Sequence, residues 1–287
     1  MFKYTPIASP SYMQPDIAEL NAIIKPWDGL KLSVLGDSVS TYPGWIPANY
    51  GCYYNINKIP YVDSMWWKQL CDITGAEPLV IEAWGGSCVA EYDSANGSGS
   101  SSTTPTVDDS RCKNLHAGSG NSRVDPDIIC IAMGVNDYGT NVPLGAWDGH
   151  VTLDTTDTKT WRGAYANMLL KIHNEYPKAL VFCFSPWFCI RANTTYVNKN
   201  AIGNTYQDYE DAMREVCELL QCVYIDTNNI GLSRYNYGPI FADDYNSTTG
   251  VAIHPNAKGQ EILGQCIAAE IRHRAIGYVN WQKGGSK

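Results

Sequence analysis

Short apolar runs alternate with longer amphipathic segments along most of this chain. Each run is followed by glycine or a polar residue, a pattern typical of buried strands in an α/β protein. Because strands that alternate with helices form parallel sheets with both faces covered, the pattern predicts a mostly parallel five-stranded sheet. The predicted strands are Leu32–Leu35, Leu79–Ile81, Asp127–Met133, Leu180–Phe184 and Val223–Ile225.

Apolar residues recur at helical spacing between these strands. In the first such segment, Met65, Trp66, Leu70 and Ile73 fall on one face. Pro177 ends the second segment, and Pro255 stands just ahead of the last one. The predicted helices are Val62–Thr74, Lys159–Tyr176, Tyr206–Leu220 and Asn256–Ile276.

The chain contains no internal repeat, and residues 31–287 are predicted to form a single domain. Residues 1–30 hold several prolines and one short helical candidate, Asp16–Ile24, and are predicted to be an N-terminal extension. Residues 90–122 are predicted to be a loop insertion. Most of that stretch is rich in Ser, Gly and Thr and has no periodicity, so we expect it to be mobile.

Composition excludes some classes of protein. A net charge of -8 argues against a nucleic-acid partner, and no apolar run is long enough for a membrane span. The first residues lack the pattern of a signal peptide, which favours the cytoplasm, a larger polypeptide or a virion-associated assembly. The 10 cysteines show no metal-type paired spacing, so we expect mostly reduced thiols and neither metal nor cofactor. Cys88 and Cys112 bracket the insertion and are the one pair that could bond.

Chemically active residue types follow three of the predicted strands and precede the last helix. Ser38 follows Gly36 and Asp37, Gly85 and Gly86 follow the second strand, and Asn136 follows the third. His254 lies just before the last helix. Because parallel strands share one carboxyl edge, these loops can meet there. A serine, an imidazole that titrates near neutrality and hydrogen-bond donors together indicate nucleophilic catalysis with an oxyanion hole.

The ordered blocks Gly36-Asp37-Ser38, Gly86, Gly134-x-Asn136-Asp137 and His254-Pro255 resemble those of the SGNH hydrolase superfamily, the GDSL esterases and lipases. The resemblance spans residues 31–265 and implies a flavodoxin-like three-layer α/β/α fold. It implies that Ser38 is the nucleophile and His254 the base. It further implies that the Ser38 N–H, the Gly86 N–H and the Asn136 amide are the oxyanion donors. Gly85 competes with Gly86, while Asp37 and Asp137 are expected to support the loops.

One position departs from the family pattern. Family members usually carry Asp three residues before the histidine, and here that residue is Val251. Three interpretations remain open: a Ser-His dyad oriented by a backbone carbonyl, a substitute carboxylate from Asp243 or Asp244, or a protein that only binds its ligand. We favour the dyad on the sequence, because nothing local to Val251 replaces the carboxylate.

The substrate is expected to be a small-molecule or carbohydrate ester. Tyr (19) and Trp (9) far outnumber Phe (5), which suits a polar, ring-shaped ligand. We therefore predict a serine esterase for small acyl groups, most simply acetyl, on a carbohydrate. The alternatives are an impaired carbohydrate-binding or attachment module and an acylhydrolase for lipid esters or thioesters. The predicted pocket walls are Trp45, Trp84, Trp147 and Trp187.

Overall fold

A computed structural model of the protein describes residues 25–146, 152–153, 156–186, 199–232 and 236–274, with only the backbone described for residues 272–274. Five parallel strands form one sheet in the spatial order β2-β1-β3-β4-β5. This order is that of flavodoxin-like sheets, and it confirms the predicted α/β fold. The strands are β1 (Lys31–Gly36), β2 (Glu77–Ala83), β3 (Ile128–Ala132), β4 (Leu180–Phe184) and β5 (Val223–Ile225).

Helices cover both faces of the sheet. The helices are α1 (Trp66–Thr74), α2 (Asp109–Cys112), α3 (Val135–Gly139), α4 (Trp161–Glu175), α5 (Tyr206–Leu219) and α6 (Ala257–Arg274). Helices α1 and α6 pack together on one face, and α4 and α5 pack together on the other. No helix in the described part of the chain has the length and apolar character needed to cross a membrane.

The central strands show why the sheet is buried on both sides. In β3, Ile128 and Cys130 point into the core under α1 and α6, whereas Ile129 and Ile131 point into the core under α4 and α5. Successive side chains of a strand face opposite sides, so an unbroken apolar run fills both cores. An unbroken apolar run, without alternation of apolar and polar residues, therefore predicted β3 correctly.

The first helix begins later than predicted. Val62–Ser64 forms a separate 3₁₀ turn, and Met65 has an extended backbone with ψ of 138° before α1 begins at Trp66. Gly75 ends α1 in the left-handed conformation, and its N–H donates to the Cys71 carbonyl. Of the apolar face predicted for this segment, Trp66, Leu70 and Ile73 lie in the nine-residue helix, and Met65 directly precedes it.

Residues 90–122 pack against the sheet instead of projecting from it. Val107, Cys112 and Leu115 are buried in the core under α4 and α5. Arg111 is fully buried and pairs with Glu82, also buried, through Nε and Oε1 at 2.8 Å. Arg111 also donates to the carbonyl oxygens of Thr104 at 2.8 Å and Gly36 at 3.2 Å. The segment is therefore bonded to the carboxyl ends of β1 and β2.

The cysteines of the described residues are free. Cys88 and Cys112 are both buried and unbonded to each other, so the pair considered from the sequence is not a disulfide here. Cys88 Sγ lies 3.5 Å from Thr140 Oγ1, and Cys112 Sγ faces the Val107 carbonyl. Burial raises the pKa of the Cys112 thiol to about 12, which keeps it protonated.

Trp27, which the sequence assigns to the N-terminal extension, packs against the sheet. Trp27 is buried, and its N–H donates to the Thr74 carbonyl at 2.8 Å. Its ring packs on Phe182 with centroids 5.6 Å apart. Trp27 thus belongs to the core, whereas the helical candidate Asp16–Ile24 lies outside the described residues.

Candidate active site

Ser38 is held in a tight turn at the carboxyl end of β1. A Cβ at Gly36 would lie 2.5 Å from Ser40 Oγ, so this close approach requires glycine. Asp37 Oδ1 accepts the Val39 N–H at 2.9 Å and caps the 3₁₀ turn Ser38–Ser40. Only 6% of Ser38 is exposed, which leaves its hydroxyl at the base of a pocket.

His254 reaches Ser38 from the other side of the pocket. Its Nε2 lies 2.8 Å from Ser38 Oγ, and its Nδ1 lies 2.8 Å from Asp244 Oδ2. A carboxylate only accepts hydrogen bonds, so the bond to Asp244 assigns the proton to Nδ1. Nε2 is then free to accept the Ser38 hydroxyl proton. Although 216 residues separate the hydroxyl and the imidazole in the chain, the fold brings them into direct contact.

A local antiparallel pairing brings Asp244 next to His254. Ala242 pairs with Pro255, and the Asp243 N–H donates to the His254 carbonyl at 2.8 Å. One residue further along, Asp244 Oδ1 accepts the N–H groups of Ile253 at 2.9 Å and His254 at 3.0 Å. The carboxylate is therefore fixed by the backbone that carries the imidazole.

These hydrogen bonds also set the charge of Asp244. Burial alone would raise its pKa, but hydrogen bonds from the His254 side chain and from the Ile253 and His254 N–H groups outweigh burial. The net effect holds the pKa of Asp244 below its usual range. The carboxyl group is thus ionised at neutral pH.

The structure distinguishes between the two acidic candidates. Asp243 Oδ2 accepts the Tyr53 hydroxyl at 2.8 Å and pairs with Lys58 at 3.1 Å, so it does not face the imidazole. The dyad favoured from the sequence does not match this geometry. A side-chain carboxylate, and not a backbone carbonyl, lies at His254 Nδ1, and it comes from ten residues upstream because the pairing aligns those positions.

The candidate oxyanion donors lie around the same pocket. Gly86 has φ of 81°, lines the pocket and has open space where a Cβ would be. The N–H of Gly85, the competing glycine, donates to the Gly51 carbonyl at 2.7 Å. Asn136 lines the pocket at the start of α3, and one of its amide hydrogens bonds the Ser87 carbonyl at 3.0 Å. Its second amide hydrogen leaves a donor for a ligand.

Asp137 supports the loop that carries Gly86. Its carboxylate accepts the Val89 N–H at 3.0 Å to each oxygen and the Ala90 N–H at 3.0 Å. Complete burial raises the pKa of Asp137 to about 6, although the backbone N–H groups favour the charged form. Asp37 and Asp137 therefore each bind backbone amides beside the site, as the sequence suggested for supporting residues.

The pocket has a volume of about 410 Å³, and both apolar and polar atoms form its surface. Its described lining residues are Ser38, Gly51, Cys52, Tyr53, Gly85, Gly86, Asn136, Ile253 and His254. The expectation of tryptophan walls does not match this lining. Trp45 packs on Trp67 with centroids 5.1 Å apart, and Trp84 stacks on Tyr50 at 4.1 Å. Trp147 and Trp187 lie outside the described residues.

Two residues of this site were missed in the sequence. Tyr53 and Lys58 belong to the irregular loop between β1 and α1, where no periodicity assigns a position to any side chain. Tyr53 stacks directly on His254, and Lys58 contacts Tyr53. In the described part of the chain, no group of three or more His, Cys, Asp and Glu side chains could hold a metal ion.

Comparison with known proteins agrees with the geometry. The sequence profile of the GDSL-like lipase/acylhydrolase family matches residues 30–231, which include Ser38, Gly86 and Asn136 but end before His254. A search of curated proteins finds no match.

Solved structures share the fold. A candidate GDSL-like lipase from Bacteroides ovatus has a TM-score of 0.59 at 20% identity and covers 85% of this chain and 98% of its own. A family 2 carbohydrate esterase from Clostridium thermocellum, in complex with cellohexaose, has a TM-score of 0.51 at 17% identity. That comparison covers 88% of this chain and 66% of the esterase. A family 2 carbohydrate esterase of Corynascus thermopiles, which carries a carbohydrate-binding domain, has a TM-score of 0.52 at 18% identity, with 89% and 68% covered.

The profile match extends over most of the chain, and the sheet order and the neighbouring structures agree with it. This chain therefore belongs to the GDSL-like lipase/acylhydrolase family, within the SGNH hydrolase superfamily, and is a carboxylic ester hydrolase.

Proposed function

We propose that this protein is a serine esterase that removes small acyl groups, in the first place acetyl, from a carbohydrate. The observation that carries the proposal is the continuous hydrogen-bonded chain from Asp244 through His254 to Ser38, with both contacts at 2.8 Å. Such a chain activates a serine hydroxyl without a cofactor. It also favours hydrolysis over ligand binding alone, which requires no aligned proton acceptor.

In the proposed reaction, Ser38 Oγ attacks the ester carbonyl while its proton passes to His254 Nε2. The carbonyl oxygen becomes an oxyanion, which accepts hydrogen bonds from the Ser38 and Gly86 N–H groups and the Asn136 amide. His254 then gives the proton to the leaving alkoxide, and the bond from the carbonyl carbon to that oxygen breaks. Asp244 keeps the proton on Nδ1 and stabilises the imidazolium that forms.

Deacylation repeats these steps with water. His254 removes a proton from the water molecule as its oxygen attacks the acyl carbon of the Ser38 ester. The second oxyanion collapses, the bond to Ser38 Oγ breaks, and the proton returns from His254 to Oγ. The free acid is released, and the same hydrogen-bonded chain remains for the next cycle.

The lining of the pocket supports a small acyl group. Ile253 is the single aliphatic side chain among the described lining residues, and glycines and polar groups form most of the remainder. Each methylene buried in an apolar environment gains about 0.8 kcal/mol, and a long acyl chain would find only this one aliphatic side chain to pack against. The fold similarity to family 2 carbohydrate esterases is consistent with a carbohydrate substrate.

The proposal is tested by Ser38→Ala. We expect kcat on 4-nitrophenyl acetate to fall by roughly 10⁴-fold or more, with unchanged folding by circular dichroism. Ser101→Ala, at an exposed serine, is the matched control and should keep the wild-type rate. A fluorophosphonate probe should label the wild type and the control but not Ser38→Ala. A folded wild type that neither turns over the ester nor takes the label would contradict the proposal.

The substrate class needs a separate assay. Acetate release from acetylated xylan, acetylated pectin and acetylated sialic acid is compared with hydrolysis of 4-nitrophenyl palmitate. We expect kcat/KM to favour at least one acetylated carbohydrate. Preference for the palmitate would instead assign the protein to long-chain ester hydrolysis and would leave the Ser38 chemistry intact.

A further inference from the structure

Tyr53 is enclosed between the imidazole of His254 and the ammonium group of Lys58. The Tyr53 and His254 rings are stacked, with centroids 3.4 Å apart and an angle of 11° between their planes. Lys58 Nζ lies 3.4 Å from the centroid of the same tyrosine ring. Two groups cannot occupy one ring face at that distance, so Lys58 and His254 lie on opposite faces of Tyr53.

Tyr53 is itself fixed at both ends. Its hydroxyl donates to Asp243 Oδ2 at 2.8 Å, and its N–H donates to Thr41 Oγ1 at 2.9 Å. The Thr41 hydroxyl in turn donates to the Ser38 carbonyl at 2.9 Å. Tyr53 is therefore bonded through Thr41 to the turn that carries Ser38, while its ring contacts His254. It connects the two groups between which the proton would move.

The two hydrogen bonds of the imidazole leave one motion poorly restrained. Bonds at Nδ1 and Nε2 lie in the ring plane, so they resist displacement within that plane more strongly than a swing perpendicular to it. The Tyr53 face blocks that swing on one side. We propose, on the basis of the proposed serine esterase chemistry, that Tyr53 is a positioning residue that keeps the His254 imidazole directed at Ser38 and Asp244 together.

The groups that surround the His254 imidazole also favour the charge it takes up during the reaction. Asp244 lies at Nδ1, the Tyr54 ring is perpendicular to the imidazole with centroids 6.4 Å apart, and Tyr53 covers one face. The imidazolium that forms during the reaction is attracted by the negative face of the tyrosine ring. Behind that ring, Lys58 and Asp243 form an ion pair at 3.1 Å, so their charges largely cancel at His254.

The main test compares Tyr53→Leu with Tyr53→Phe. Tyr53→Leu removes the ring. We expect kcat to fall about 10- to 100-fold with KM within threefold, because a small misplacement of a catalytic group causes losses of this size. Tyr53→Phe keeps the ring and should recover most of that loss. Tyr61→Leu, at a highly exposed tyrosine of the same loop, is the matched control and should keep the wild-type kcat. Equal losses in Tyr53→Leu and Tyr53→Phe would overturn the role of the ring.

The pH profile gives a readout that a purely structural role would not move. Lys58→Met leaves Asp243 unpaired, which favours the imidazolium, so the acid limb of the kcat profile should shift to higher pH. Asp243→Asn leaves Lys58 unpaired and should shift the limb to lower pH. Both variants remain informative if Tyr53→Leu fails to fold. Profiles that coincide with the wild type in both variants would overturn the inference.

Failure of this inference differs from failure of the proposed function. A wild type without Ser38 labelling by a fluorophosphonate would remove the chemistry on which both depend. A wild type that is labelled and active, together with a folded Tyr53→Leu that has unchanged kcat, would leave the esterase proposal in place and reject the positioning role alone.

Discussion

Replacing Asp244 by Asn tests the most informative contact of the site. The backbone N–H groups of Ile253 and His254 both bind Asp244 Oδ1, so in Asp244→Asn they should hold the amide oxygen at that position. The amide NH₂ would then face His254 Nδ1 and donate to it. The proton of the imidazole would move to Nε2, and His254 could no longer accept the proton of Ser38.

The size of the effect follows from charge and geometry. Exposure of the Asp244 and His254 side chains is 27% and 13%, so a dielectric suited to partly exposed groups applies. Opposite unit charges about 4 Å apart then attract by about 4 kcal/mol. Loss of that attraction to the imidazolium alone corresponds to about 10³-fold in rate. The wrong tautomer adds to it, so we expect kcat to fall between about 10³- and 10⁴-fold.

The assay measures kcat on 4-nitrophenyl acetate at the pH optimum. Asp243→Asn is the matched control, because it is the adjacent carboxylate and contacts Tyr53 and Lys58 without reaching the imidazole. Its kcat at that optimum should stay within about fivefold of the wild type, a small effect typical of a partly exposed ion pair. If Asp244→Asn kept more than a tenth of the wild-type kcat, the protein would work as a Ser-His dyad, and the reasoning from the contact at Nδ1 would be refuted.

Three further predictions concern the surrounding structure. Asn136→Ala should lower kcat by about 10²- to 10³-fold with little change in KM. A comparable rise in KM with kcat unchanged would instead indicate that Asn136 only binds the substrate. Burial raises the pKa of Asp137 to about 6, so its stabilising contribution is complete below about pH 4 and is lost as the pH rises through 6. Chemical denaturation should show the unfolding free energy of the wild type, relative to Asp137→Asn, falling by about 3 kcal/mol from pH 4 to pH 7. If the difference in unfolding free energy between the wild type and Asp137→Asn did not change with pH, titration of Asp137 in this range would be excluded. Arg111→Met should destabilise the fold by about 3 to 5 kcal/mol, and adding Glu82→Leu should restore much of it, because the lone buried charge is then removed; no recovery in the double variant would reject that explanation.

The sheet and most of the candidate site were accessible from the sequence for simple reasons. The strands β4 and β5 are short apolar runs followed directly by polar residues, so the sequence predicted even their ends. The short motifs around Ser38, Asn136 and His254 follow strands or precede a helix. Because parallel strands end at one edge, position in the chain already implied position in space.

Other features depend on contacts that leave no periodic signal. Residues 90–122 are rich in small polar residues, yet the buried Arg111 bonds them to the sheet. Tyr53 comes from an irregular loop, and its place over His254 depends on Thr41 and Asp243. The tryptophans were expected to line the pocket because they follow strands, but Trp84 instead stacks on Tyr50 behind it. Tertiary packing decided each of these positions.

The relocation of the acid shows what the chemistry requires of the chain. A carboxylate oxygen must lie near 2.8 Å from Nδ1 and in the plane of the ring, and the number of residues between acid and base is immaterial. At Val251 the usual position is apolar. The pairing of residues 242–244 with residues 253–255 offers an equivalent position, because it places Asp244 opposite Ile253, next to His254, and supplies two backbone donors to hold it. The His254 side chain and those donors together keep the carboxyl group ionised, so this local pairing provides both the orientation and the charge that an acid three residues away would supply.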